Sequence, residues 1–221
     1  MLFSIRNDDF ESEKERNLYY KFFAGYFFNE YVPGLEARLR AFCTFLSECT
    51  RGGKAVSREP IMLTTESAHV SFDNHGYLFS GLGTDRGEFA DILIHDRSTS
   101  VVIPIEAKVH SNWSYEKDIT SNERRLRLIE KEMPSVRFYP CLLLAESKWK
   151  ACTNQKTKEY SNYRELIETN DCRTRVILWE ELIDLASDDE VAAYVRGQLA
   201  RPRDGFGYGF DNGWFVRDRR S

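Results

Sequence analysis

The stretch 89–109, FADILIHDRSTSVVIPIEAKV, constrains the fold more than any other part of the chain. It holds two apolar runs, 89–95 and 101–109, joined by the polar residues 96–100. β-branched residues crowd both runs, and a short polar connector between such runs predicts an antiparallel hairpin. A symmetric hairpin, with its turn centred between Ser98 and Thr99, pairs residues whose numbers sum to 197. Side chains alternate along a strand, and directly opposed residues share a face. In this register Ile92, Ile94, Ile103 and Ile105 gather on one face, and Asp91, Glu106 and Lys108 on the other. A slip of one residue would exchange the faces, so the apolar and the charged sets demand the same pairing.

The flanking segments decide what this hairpin joins. Helical periodicity predicts helices over about 10–30 and 34–50, broken at Pro33-Gly34. Leu35, Leu39, Phe42 and Leu46 form one stripe of the second. Strand-like segments follow at 61–65, 68–72 and 77–82, the last two separated by the turn Asp73-Asn74-His75-Gly76. Beyond the hairpin come a polar helix over 115–133, stopped by Pro134, and an apolar strand over 136–145. A basic stretch at 148–158, a helix at about 159–169, a strand at 175–179 and helices at 180–185 and 189–199 complete the pattern. The expectation is an α/β chain: a mixed β-sheet flanked by helices, one domain over 1–200, then a Gly-, aromatic- and Arg-containing tail over 201–221.

Composition narrows the function classes. With 42% hydrophobic and 30% charged residues, the chain reads as a soluble globular protein. The net charge of −4 means that any nucleic-acid surface must be a local basic patch. The five cysteines are odd in number and include no CxxC pair, which argues for reduced thiols and against zinc. No apolar run approaches the ~20 residues of a membrane span. The N-terminus turns acidic at once, unlike a signal peptide, so a cytoplasmic location is expected.

Two carboxylates on one strand face repel each other, and a divalent cation removes the conflict. Mg²⁺ takes oxygen ligands and keeps several waters, so Asp91, Glu106 and the main-chain carbonyl of Ala107 suffice, and Mn²⁺ can substitute. Lys108 can orient a water or stabilise charge developing on a phosphate. In-line attack of metal-activated water on a phosphodiester is the expected chemistry. The Glu-x-Lys spacing by itself also fits a plain salt bridge on a strand face; the matched Asp91 is what adds weight.

The stretches GEFADILIHD and VVIPIEAK resemble the PD-(D/E)xK nuclease superfamily. Asp91 matches the family's strand aspartate, and Glu106-Ala107-Lys108 its (D/E)xK. The resemblance spans about 35–145 in element order and implies a restriction-endonuclease-like fold. It also implies a Mg²⁺-dependent endonuclease with DNA as the favoured polymer, and a homodimer able to cut two strands. A microbial defence or mobile-element role fits such a nuclease. The alternative is a catalytically silent nucleic-acid-binding or assembly module on the same fold. Ala90 stands where the family often has proline. Pro104 lies inside the motif strand and cannot donate to a ladder, which implies a bulge or an unpaired edge there.

The resemblance leaves a helical acidic position open. Glu36 is the candidate, with Glu66 as rival. On the helix after the motif, Asn122 and Arg125 are candidates for facing the site or the phosphate backbone. His110 shares parity with Lys108. Lys148 and Lys150, with Trp149 between and Lys156 and Lys158 beyond, form a basic patch able to meet phosphates, or else a solvated loop.

Overall fold

The computed structural model describes residues 18–72, 90–108, 113–186 and 190–200. Six strands form one mixed sheet: β1 (Ala68–Phe72), β2 (Ile92–Asp96), β3 (Val101–Lys108), β4 (Arg137–Phe138), β5 (Cys141–Leu144) and β6 (Arg175–Leu178). Their order is β1-β2-β3-β5-β6, with β4 beside the start of β3. β1 and β3 run antiparallel to β2, whereas β4 and β5 lie parallel to β3, and β6 parallel to β5. The hairpin has the register its two faces require, Ile92 opposite Ile105 and Asp96 opposite Val101.

Helices cover both faces of the sheet. Helix α1 (Tyr20–Phe27) is π-helical, and α2 (Leu35–Glu48) follows a left-handed Gly34 at φ 79°. A π-helical turn, Tyr115–Thr120, runs into α3 (Ser121–Glu132). The remaining helices are α4 (Glu146–Thr153), α5 (Tyr160–Glu168), α6 (Trp179–Asp184) and α7 (Glu190–Leu199). On one face, Ile92, Ile94, Ile103, Ile105 and Ala107 pack with Phe22 and Phe27 of α1, Phe42 and Leu46 of α2, and Trp179 of α6. On the other face, Leu93 and Val102 meet Leu126 and Ile129 of α3, while Leu142 and Leu144 meet Cys152 of α4 and Leu166 of α5. Each large apolar side chain so buried contributes about 1.5–3 kcal/mol. Tyr19, Phe22, Phe23 and Phe27 are thus core. All five cysteines are free, Cys49 half-buried and the others buried.

Several expectations are corrected. Residues 61–65 are not a strand, because the first main-chain pairing with β2 begins at Ala68. The apolar run 136–145 is two strands, since Tyr139-Pro140 interrupts it. The basic stretch begins as helix α4 rather than as a loop. Pro104 causes no bulge in the hairpin, and Leu93 stays opposite it. Even-numbered residues of β3 turn their main chain toward β4 and β5, as the 2.9 Å bond from the Tyr139 N–H to the Val102 carbonyl illustrates. The missing N–H of Pro104 therefore falls where β4 has ended and β5 has not begun. The segments 77–82 and 201–221, the turn 73–76 and His110 lie outside the described residues.

Asp96 anchors the hairpin turn. Its carboxylate accepts the N–H groups of Thr64, Ser98 and Thr99 at 2.5, 2.9 and 3.1 Å, together with the hydroxyls of Thr64, Ser67 and Ser98. Burial opposes its charge, but the bonds from Ser67, Thr64 and Ser98 outweigh burial and hold the carboxyl far below its ordinary range. Among the described residues, no helix is long and apolar enough to cross a membrane.

Candidate active site

The site forms where the hairpin ladder stops. Odd-numbered residues of β3 turn their main chain toward β2, so Ile92 and Ile105 are a hydrogen-bonded pair. One step further the ladder has ended: Asp91 lies in a bend just before β2, close enough to Glu106 for its charge to raise that carboxyl. The next N–H of β3, from Ala107, donates to Asp91 Oδ2 at 2.7 Å. The Asp91 carboxylate thus takes an amide at the ladder's end, near Glu106. The Lys108 ammonium donates to Glu106 Oε1 at 2.6 Å. Both side chains are mostly buried, 17% exposed for Glu106 and 18% for Lys108.

A fourth group completes the cluster: Asp118, from the π-helical turn, with Oδ1 at 3.7 Å from Lys108 Nζ. Its other oxygen accepts the Ser114 N–H at 2.6 Å, and its own N–H donates to the Ser114 carbonyl at 2.9 Å. The Asn162 amide on α5 pins this turn, accepting the Tyr115 N–H and donating to the Trp113 carbonyl, both at 3.1 Å. Within this group of four, three carboxylates meet one ammonium.

The electrostatics follow from that count and from burial. Burial, then Asp91, push the Glu106 carboxyl up to about 7, with Lys108 opposing. Burial favours a neutral Lys108 amine, but Glu106, Asp91 and Asp118 together outweigh it and hold the ammonium charged. A carboxylate that shares its space with other negative groups gains from an added cation.

The residues suit a hard divalent ion with few protein ligands. Asp91 and Glu106 offer carboxylate oxygens near one another. The carbonyl of Ala107 projects to the same side of β3 as its N–H, toward Asp91. Among the described residues, no three His, Cys, Asp or Glu side chains form a metal-holding group by themselves. A cation here would rest on two carboxylates, a carbonyl and water, which is Mg²⁺-like coordination.

The structure brings together Asp91, Glu106, Ala107 and Lys108, but not every candidate. Glu36 is exposed and ion-paired with Arg40 one turn on. Its helix packs on the sheet face opposite Glu106. Glu66 is exposed in the turn before β1, at the hairpin's turn end, where Ala68 pairs with Asp96. Asn122 donates to the Asp118 carbonyl at 3.0 Å, supporting the turn that presents Asp118. Arg125 lies half-buried one turn beyond. Lys148 and Lys150 lie on α4, which starts where Leu144 pairs with Lys108, at the site's end of the sheet. Lys150 is exposed and pairs with Glu146 at 2.9 Å.

Asp118 carried no role in the sequence reading. Its one signal was its place four residues before Asn122, on the first turn after the motif strand. The chain matches no protein-family model, no curated protein and no solved structure. The functional reading rests on the site itself.

Proposed function

We propose that this chain is a Mg²⁺-dependent endonuclease that hydrolyses phosphodiester bonds of nucleic acid, with DNA as the favoured polymer. One observation carries the reading: Asp91 Oδ2 accepts the Ala107 N–H at 2.7 Å beside Glu106, whose Oε1 accepts the Lys108 ammonium at 2.6 Å. The element order α2, β1, β2, β3, α3, β5 agrees with the common core of the restriction-endonuclease-like fold. The site also lies beside the carboxyl ends of the parallel strands β3, β5 and β6, where sheets of this kind place ligands.

A bound Mg²⁺ or Mn²⁺ would supply Lewis acidity toward the phosphate and lower the pKa of a water. Asp91 and Glu106 hold position for that ion, Asp91 fixed by the Ala107 amide. Lys108 sets positive charge against the negative charge that develops on the phosphate oxygens. Hydrolysis adds water across one P–O bond, its hydroxyl to phosphorus and its proton to the departing oxygen. Lys148 and Lys150, at the same end of the sheet, supply positive charge for the polymer backbone.

The test is incubation with plasmid DNA, linear DNA and RNA in Mg²⁺ or Mn²⁺, beside Glu106→Ala and Lys108→Ala. Metal-dependent cleavage that falls by at least about 100-fold in both variants is expected. Binding without cleavage, equal in all three proteins, would replace this reading with a silent nucleic-acid-binding module.

A further inference from the structure

We infer that Asp118 is a positioning residue that receives the Lys108 ammonium when a divalent cation claims Glu106. The inference rests on the metal-dependent reading above. Lys108 Nζ now lies 2.6 Å from Glu106 Oε1, a full hydrogen bond, and 3.7 Å from Asp118 Oδ1, an ion contact beyond hydrogen-bond reach. The ammonium holds Glu106 Oε1, one of the two oxygens open to a divalent cation, and the two positive charges repel. Loading therefore favours withdrawal of the ammonium. Lys108 is mostly buried, and a buried charge without a partner is strongly destabilising. Asp118 offers an acceptor at 3.7 Å outside the proposed metal-ligand set, and closing about 1 Å converts the ion contact into a hydrogen bond.

Asp118 is built for this exchange. The Ser114 N–H holds its Oδ2 at 2.6 Å, which leaves Oδ1 turned to Lys108. Its main chain is bonded on both sides, the N–H to the Ser114 carbonyl and the carbonyl to the Asn122 amide. The acceptor is therefore already in place when the lysine moves. The move frees Glu106 for the cation and keeps the ammonium beside the reacting phosphate. In this role Asp118 acts through Lys108 and does not touch the metal.

The experiment follows the Lys108 ammonium by ¹⁵N NMR during a Mg²⁺ titration, in the full chain and in Asp118→Asn. Asparagine keeps an acceptor for the Ser114 N–H; Asp118→Ser serves the same comparison if the amide variant fails to fold. Lys108→Met assigns the signal, and calorimetry measures Mg²⁺ binding independently. Without metal, both proteins should show a protected Lys108 signal, because Glu106 holds it. With Mg²⁺, the unaltered chain should keep a shifted but protected signal, whereas the variant should lose it to rapid exchange with water. The variant's Mg²⁺ affinity should fall by about tenfold, the scale of coupling between groups in contact.

A signal that survives Mg²⁺ equally in both proteins overturns the inference, as does Mg²⁺ binding that leaves the Lys108 signal unmoved. Loss of the signal in the folded, metal-free variant overturns it too, since Asp118 would then be needed before any metal arrives. If calorimetry finds no Mg²⁺ binding by the unaltered chain, the nuclease reading itself falls, a result distinct from the others.

Discussion

Glu106 carries the strongest conflict at the scale of single residues. Burial and Asp91 raise its carboxyl to about 7, from an ordinary 4.5, so the folded chain holds this proton more tightly than the unfolded one. The sign follows by linkage. The metal-free fold loses stability as pH rises from about 4.5 to about 7, because the unfolded chain sheds the proton first. Glu106→Gln removes that slope, and the metal-free variant should gain stability relative to the unaltered chain between pH 5 and pH 8. Urea unfolding at pH 5 and pH 8 checks this; parallel pH profiles for the two proteins would refute it. Asp96 has the opposite sign. Its carboxyl is held far below the ordinary range, so its contribution is complete near neutral pH and declines as pH falls through the unfolded chain's carboxylate range, about 4. Asp96→Ala leaves three main-chain N–H groups without their carboxylate and should cost about 3 kcal/mol at pH 7, with a flatter acid limb in the denaturation profile.

Among the elements, the hairpin was legible because a period of two leaves one register that separates four isoleucines from three charges. The break at Tyr139-Pro140 was hidden inside an apolar run, whose composition suits one buried strand as well as two short ones. The position of Asp118 was hidden for another reason: it projects from a π-helical turn, and helical periodicity read at 3.6 residues gives the wrong rotation there. Glu36 and Glu66 stayed open because a resemblance can name a helix without fixing which way each of its side chains faces. The tie between α3 and β6 was equally invisible, being built from residues 50 apart, as in the 2.8 Å bond from the Arg173 N–H to Glu123 Oε1. Glu123, only 5% exposed, also accepts from Arg173 Nε and Thr174 Oγ1 at 3.1 and 3.0 Å. Arg173 reaches Glu130 as well. Glu123→Ala strands these donors in the interior and should cost about 3–5 kcal/mol. Chemical denaturation measures it, and a loss below about 1 kcal/mol would mean that water replaces the carboxylate.

The whole molecule divides its labour between the two faces of one sheet. The face toward α1, α2, α6 and α7 is a continuous apolar cluster in which Phe22, Phe27, Phe42 and Trp179 are fully buried. The face toward α3, α4 and α5 carries smaller clusters and leaves the end of β3 to Glu106 and Lys108. The sheet separates the two layers, because a strand residue projects to one face only. Phe42 touches the site through neither charge nor hydrogen bond, while its ring packs against Phe23 and Phe27 with centroids 6.0 and 5.2 Å away. Phe42→Ala should therefore destabilise the fold by about 3–5 kcal/mol through transfer and cavity terms. The Mg²⁺ midpoint of the molecules that remain folded should shift less than about twofold, since Phe42 packs on the face that Ile105 and Ala107 share and Glu106 projects to the other. Urea unfolding and calorimetry on the same preparation give both numbers. A tenfold change in Mg²⁺ affinity would show instead that packing on the far face sets the geometry of Asp91 and Glu106 across the sheet, and the separation of stability from chemistry would fail.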